Sequence, residues 1–170
     1  MSGFVDRGLA CVSATGCRLI LMQGIPGSGK TMVANALKAK IKNLVVVCAD
    51  DEFTTSEGYK FDASRMKEVH LRTQEKAREA LAGGSIVLVD NCNYLAFHAT
   101  PYLNMLSEKK NDCAVALHLR SMTRGEALSF GERSPHSVPD YTVIKMHDKM
   151  ERIESSIIKI HYVSHPQRVK

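Results

Sequence analysis

Apolar residues gather along this chain in short, nearly unbroken runs, and the stretches between the runs repeat their apolar positions every three or four residues. Arg18 to Gln23, with Leu19-Ile20-Leu21-Met22 at its centre, Leu44 to Ala49, Ile86 to Val89, Cys113 to Leu119 and Ile157 to Val163 are the runs. Strands of a parallel sheet read this way because both of their faces are covered. Met32, Val33, Ala36, Leu37 and Ile41 recur at helical spacing, as do Met66, Val69, Thr73, Ala77, Ala80 and Leu81 within Ala63 to Ala82. Asp62 opens that second helix as a cap and Gly83-Gly84 ends it. Thr100-Pro101 offers a cap and first-turn pair for a helix to about Lys109. Arg124 to Glu132 and Asp140 to about Ser155 predict two more helices, with a loop over 134–139 between them, and Thr54 to Phe61 reads as a loop. Residues 1–16, punctuated by Gly3, Gly8, Ser13 and Gly16, show no period and predict a disordered arm or a short edge strand. Strands alternating with helices specify an α/β fold, a five-stranded parallel sheet with helices on both faces, because each crossover must return over the sheet. At 170 residues the sequence fits one domain, over 17–170, able to bury roughly two-thirds of its unfolded surface.

The first predicted strand runs into Gly24-Ile25-Pro26-Gly27-Ser28-Gly29-Lys30-Thr31, a G-x-x-x-x-G-K-[ST] run of the Walker A type. Glycines let the backbone wrap closely enough for successive N–H groups to face phosphate oxygens, and the helix that starts near Lys30 aims its positive end at the same place. Gly24, Pro26, Gly27, Ser28 and Gly29 therefore form an anion cradle. Lys30 can reach the β- and γ-phosphates, and the Thr31 hydroxyl can ligate the Mg²⁺ that bridges them. This P-loop predicts a P-loop NTPase fold that binds a nucleoside triphosphate, taken here as ATP with Mg²⁺. Asp50-Asp51-Glu52 at the end of the second strand lie where open α/β sheets keep their ligands, and Asp90, after four apolar residues, suits outer-sphere contact with the metal.

Composition narrows the picture modestly. An apolar fraction of 44% and a charged fraction of 24% suit a globular protein, and no segment approaches the roughly 18 apolar residues of a membrane span. A net charge of +5 favours acidic partners, nucleotides or nucleic acid among them. The five cysteines, Cys11, Cys17, Cys48, Cys92 and Cys113, form no C-x-x-C pair and are expected to be reduced. Residues 1–16 do not read as a secretory signal, so the expected location is cytoplasmic. His70 and His118 have no Cys or His at metal-ligand spacing and are expected to serve packing or the surface. The tail Gln167-Arg168-Val169-Lys170 reads as a solvated end.

Other motifs separate the uses of a P-loop. A base-reading N-K-x-D is absent, which disfavours a GTPase, and Asn91 rather than Glu follows Asp90, which disfavours a motor ATPase. A kinase needs a group that accepts the proton of an acceptor hydroxyl and a lid that brings a cation to the transferring phosphoryl group; Asp50 and Arg133 are the candidates.

The P-loop, Asp50-Asp51, Tyr59-Lys60-Phe61-Asp62, Val69-His70, Asp90-Asn91-Cys92-Asn93, and Arg133 with His136-Ser137-Val138-Pro139 together resemble the polynucleotide 5′-kinase-like branch of P-loop kinases, over about residues 18–163. The resemblance implies that the P-loop strand is central, that Asp50 is the acceptor-activating base, that Arg133 is a lid residue on the ATP phosphates, and that Asn93 belongs with the cofactor-binding residues. It implies a kinase that transfers the γ-phosphoryl of ATP to the 5′-OH of a nucleic-acid strand. Two departures keep other acceptors open. Phe53 stands where phage-type members carry an Arg that holds the acceptor's phosphate, and Ser129 replaces a second lid Arg, with Arg124 able to approach from the same helix. A small-molecule kinase acting on a nucleoside, nucleotide or sugar derivative, or a nucleotide-gated binding module without transfer activity, fits the same residues.

Overall fold

The computed structural model describes residues 1–56, 58–106 and 112–165. In chain order it contains α1 (Ser2–Thr15), β1 (Leu19–Gly24), α2 (Lys30–Lys40), β2 (Leu44–Val47), a short hairpin of β3 (Thr54–Thr55) and β4 (Gly58–Tyr59), α3 (Met66–Ala82), β5 (Ile86–Val89), α4 (Thr100–Leu103), β6 (Cys113–Leu119), α5 (Arg124–Glu132), α6 (Asp140–Asp148) and β7 (Lys159–Ser164). Five strands form a parallel sheet in the order β2-β5-β1-β6-β7, so the P-loop strand is central. From β1 the chain crosses to one edge and after β6 to the other, which opens a crevice beyond the carboxyl end of β1.

The six residues of β1 are all buried and divide by period 2 between two cores. Ile20 and Met22 join Val33 and Leu37 of α2, Val115 and Leu117 of β6, and Phe4, Val5 and Val12 of α1. Leu19 and Leu21 face Ala77 and Leu81 of α3, Tyr102 and Leu103 of α4, and Ile153 and Ile158. Asp62 accepts from the Ser64 N–H at 2.9 Å and caps a 3₁₀ turn, Ala63–Arg65, that leads into α3. No helix among the described residues is long and apolar enough to cross a membrane.

Five local expectations are corrected. Residues 2–15 form a helix rather than an arm or edge strand. Gly8, read as a breaker, is where α1 lies closest to the sheet: a Cβ there would sit 3.2 Å from Leu117 Cδ2. The helix from Asp140 stops at Asp148, because the backbone of 151–153 is drawn onto other elements: Glu151 N–H donates to Tyr94 O at 2.8 Å, and Ile153 is buried. The loop over 54–61 contains the small hairpin. Finally, Cys17 and Cys113 are joined as a disulfide with Cα atoms 5.0 Å apart, whereas Cys11, Cys48 and Cys92 are free. The β1–β6 register, Leu19 beside Ala114, brings together two cysteines 96 residues apart, which spacing along the chain could not show. The helix expected from Thr100 to about Lys109 also ends early, at Leu103, where the Asn104 N–H closes on Thr100 O; residues 107–109 and the basic tail from Gln167 lie outside the described residues.

Candidate active site

The glycine loop owes its shape to close approaches that side chains would block. Gly27, at φ +71°, packs against the carboxyl end of α5 so tightly that a Cβ would fall 1.7 Å from Phe130 O. Gly24 would place one 2.7 Å from Ser28 Oγ. Lys30 folds over the loop and donates from Nζ to Ile25 O at 2.9 Å. Ser28 Oγ is buried with no hydrogen-bond partner. A curled loop, a lysine at its lip and an unsatisfied buried hydroxyl fit a bound phosphate chain.

Three carboxylates face this loop from neighbouring strand ends. Asp90, just past β5, is 5% exposed, lies beside the Thr31 hydroxyl, and leaves its Oδ1 buried without a partner. Burial raises its pKa above the ordinary carboxylate value, with Asp51 and Asp50 adding to the rise and Thr31 and Lys30 opposing it. An orphaned carboxylate oxygen beside a threonine hydroxyl is a hard-oxygen donor pair that fits Mg²⁺. Asp50 opens a 3₁₀ turn, Asp50–Phe53, and its side chain is half-exposed. The same negative cluster, together with burial, pushes the Cys48 thiol up to about 12.

One open cleft of about 2150 Å³ joins these parts. Gly27 to Thr31, Asp50, Asp90, Asn93 and Arg133 all line it. Its volume exceeds the roughly 300–1,000 Å³ of a pocket for one small ligand, so two substrates fit side by side. Arg133 follows α5 directly; its guanidinium rests on the Phe130 ring at 4.7 Å and donates to Ser129 O at 3.2 Å, next to the glycine loop that Phe130 contacts. Arg124 does not approach: it forks onto Asp148 through Nε at 3.0 Å and Nη2 at 2.7 Å.

Asn93 lines the cleft and also ties its walls together. It is 3% exposed at φ +43°, and its amide donates to Met22 O at 2.8 Å. Gln23, a polar residue inside an apolar strand, donates in turn to Asn93 O at 2.9 Å and Glu151 O at 2.7 Å. Together they lash the β5 loop to the root of the P-loop, so Asn93 holds the cradle in shape. The polar break at Gln23 was the signal for this tie.

Tyr59 and His136 gather on Asp50. The Tyr59 phenol lies beside the Asp50 carboxylate, and burial with that neighbouring charge pushes it up to about 12. His136 Nε2 stands 3.8 Å from Asp50 Oδ2, and its ring lies 4.2 Å from that of Tyr59. Both residues belong to the motifs that carry the resemblance, yet their convergence depends on two loops far apart in sequence. Asn91 accepts from the Ala49 N–H at 2.9 Å and so sets the turn that presents Asp50. Phe53 is 1% exposed and packs with the Tyr59 and Phe61 rings, so the position of the acceptor-phosphate Arg is filled by an apolar cluster.

Comparison with known proteins agrees with this architecture. The chain is 28% identical over 144 residues to human NEDD4-binding protein 2, an overlap of 84% of this chain and 8% of that protein. It therefore spans a small part of that relative's length. Among solved structures, a chain in the Pnkp1/Rnl/Hen1 RNA repair complex superposes with a TM-score of 0.63 at 16% identity, over 79% of this chain and 44% of that one. A sugar kinase from Janibacter sp. HTCC2649 gives 0.59 at 16% identity, over 87% and 85% of the two chains. A gluconokinase from Sinorhizobium meliloti 1021 gives 0.52 at 17%, over 86% and 83%. At these identities the likeness is one of fold, that of P-loop kinases. The sequence profile of the chromatin associated protein KTI12 family matches residues 18–115, more than half of the chain, and this protein belongs to that family with a P-loop kinase-like fold.

Proposed function

We propose that the chain is an ATP-dependent phosphotransferase that moves the γ-phosphoryl group to a hydroxyl, with the 5′-OH of a polynucleotide as acceptor. One observation carries this reading: a single cleft combines the glycine loop and Lys30, the orphaned oxygen of Asp90 beside Thr31, and a half-exposed second carboxylate, Asp50. Backbone N–H groups of the loop and Lys30 hold the phosphates. Thr31, with Asp90 behind it, would hold Mg²⁺, which would supply positive charge to neutralise the phosphates. Asp50 takes the proton of the acceptor hydroxyl as the oxygen attacks, and the Tyr59 hydroxyl fixes its orientation. Arg133 swings from the Phe130 ring to meet charge on the transferring group. Residues that act only as that charge develops raise the rate more than the affinity.

Support for a polynucleotide comes from the rim. Phe61, Phe97 and Tyr141 line the cleft at 59%, 65% and 76% exposure, flat faces of the kind on which unpaired bases stack. A net charge of +5 suits a polyanion. The buried Phe53 favours a second reading, an acceptor that brings no phosphate to that position, such as a nucleoside or sugar derivative. A parallel assay with γ-labelled ATP and a 5′-OH oligonucleotide, a 3′-mononucleotide and a nucleoside decides between them. The oligonucleotide is expected to have the highest kcat/KM. Equal or better transfer to the nucleoside promotes the small-molecule kinase, and saturable ATP binding with no labelled product in any arm leaves a nucleotide-gated binding module.

A further inference from the structure

At the amino ends of the strands, away from the nucleotide cleft, three metal-ligating side chains converge. Cys17 follows the Gly16 cap of α1, Cys113 opens β6, and His161 lies on β7 opposite Val115. Their two sulfurs and an imidazole nitrogen all lie within 4.8 Å of one another. Both cysteines are buried, at 2% and 6% exposure, while His161 is half-buried and leaves a way in from the edge strand. Cys113 Sγ is 3.7 Å from the Thr15 carbonyl oxygen. The six residues of β1, at about 3.3 Å each, separate this cluster from the glycine loop by roughly 20 Å.

The disulfide employs two of these three donors, and the imidazole completes a set the oxidised pair does not use. We propose that the reduced form of this cluster is a Zn²⁺ site, with Cys17, Cys113 and His161 as protein ligands, so that the α1–sheet junction is tied by a disulfide in one redox state and by a metal in the other. Two thiolates and a neutral imidazole are the donor types zinc takes, at about 2.3 Å to sulfur and about 2.0–2.1 Å to nitrogen. A tetrahedral centre with those bonds holds its sulfurs roughly 3.8 Å apart, a spacing that suits side chains whose donor atoms already lie within 4.8 Å of one another. The Thr15 carbonyl or a water fills the fourth position.

The chemistry balances with a dithiol as reductant. It gives two electrons and two protons to the Cys17–Cys113 bond, closes to its own disulfide, and leaves two thiols. Zn²⁺ then forms two Zn–S bonds and one Zn–N bond, and the two thiol protons pass to solvent. Cys17 and Cys113 join the end of α1 to the start of β6, so either link holds the helix on the sheet.

The test uses the whole chain carrying Cys48→Ser and Cys92→Ser, which removes the thiols beside the cleft carboxylates. Reduced with a phosphine and freed of it, the chain is titrated with Co²⁺, then Zn²⁺. One equivalent of Co²⁺ should give a thiolate-to-cobalt charge-transfer band that Zn²⁺ bleaches, and the oxidised chain should give none. Cys113→Ser should abolish the band. His161→Gln, which keeps the disulfide and so the oxidised fold, should weaken the reduced chain's affinity by more than about tenfold, the lower edge of what even an outer partner contributes at zinc sites. Absence of the band in the reduced chain overturns the proposal, as does unchanged affinity in His161→Gln. So does a chain that loses its circular dichroism on reduction and does not regain it with Zn²⁺.

Discussion

Asp90 shows how a single side chain can oppose the fold and serve the site. Its pKa is raised in the folded chain chiefly by burial, so the protonated form is favoured there. A raised carboxylate contributes to stability below its ordinary value of 3.8, and that contribution is lost as pH rises through the folded value. Ionising the buried Asp90 therefore works against folding, and a cation at its orphaned oxygen offsets that cost. Asp90→Asn is expected to raise the thermal midpoint of the nucleotide-free chain at pH 7 and to cut the Mg²⁺-dependent part of ATP affinity by at least about tenfold. Melting curves with and without Mg·ATP check both effects, and a lower midpoint with an intact Mg²⁺ response would refute them. Asp90, Thr31, Lys30 and Asp50 were legible in the sequence because a contiguous motif or a strand end places each of them. Tyr59 and His136 were not assigned to Asp50, because their contact joins residues that only the folded chain brings together. The tie made by Asn93 was hidden for the same reason: its amide's partner, Met22 O, lies 71 residues earlier.

Among the elements, the glycine loop and α5 act as one piece. A methyl group at Gly27 has nowhere to go against Phe130 O, and the backbone there is left-handed as well. Gly84, at φ +83°, has nothing within 4 Å of its would-be Cβ. Gly84→Ala should cost only the strain of the left-handed backbone, about 1–2 kcal/mol, and leave nucleotide binding alone. Gly27→Ala should cost more than that and lower ATP affinity at least about tenfold, because α5 must move off the loop and takes Arg133 with it. Denaturant unfolding and calorimetric titration of the two variants give the comparison; equal effects would mean that the loop and α5 are independent. The elements with strong apolar runs or periodicity, β1, α2, α3 and β6, were readable from pattern alone. α1 was hidden because Gly8 interrupts its apolar face, and the early end of α6 reflects the hydrogen bond from 151 to the Tyr94 loop that overrides local helix preference.

For the molecule as a whole, β1 divides the sheet between two cores and presents the cleft at its carboxyl end. Parallel runs alternating with helices foretold this layering, and the resemblance supplied the central place of β1; the disulfide and the strap over Gln23 needed register, which pattern does not contain. Burial, with Arg120 and Arg152 nearby, pushes His118 from 6.5 down to about 4. A depressed histidine contributes stability above its ordinary value and loses it as pH falls, so global stability should decline between about pH 6.5 and 4, with His70 and His98 adding in the same direction. His118→Leu should flatten part of that decline in denaturant unfolding across the window, and an unaltered slope would assign the decline to other groups. The account of the cleft rests finally on Asp50 as the group that accepts the acceptor's proton. Calorimetric titration of Asp50→Asn with Mg·ATP, paired with its rate of phosphoryl transfer, tests this most directly. The account predicts near-normal ATP affinity with transfer reduced by about 10²–10⁴-fold, the range for loss of one general base. Parallel loss of affinity and rate, or full activity, would contradict it.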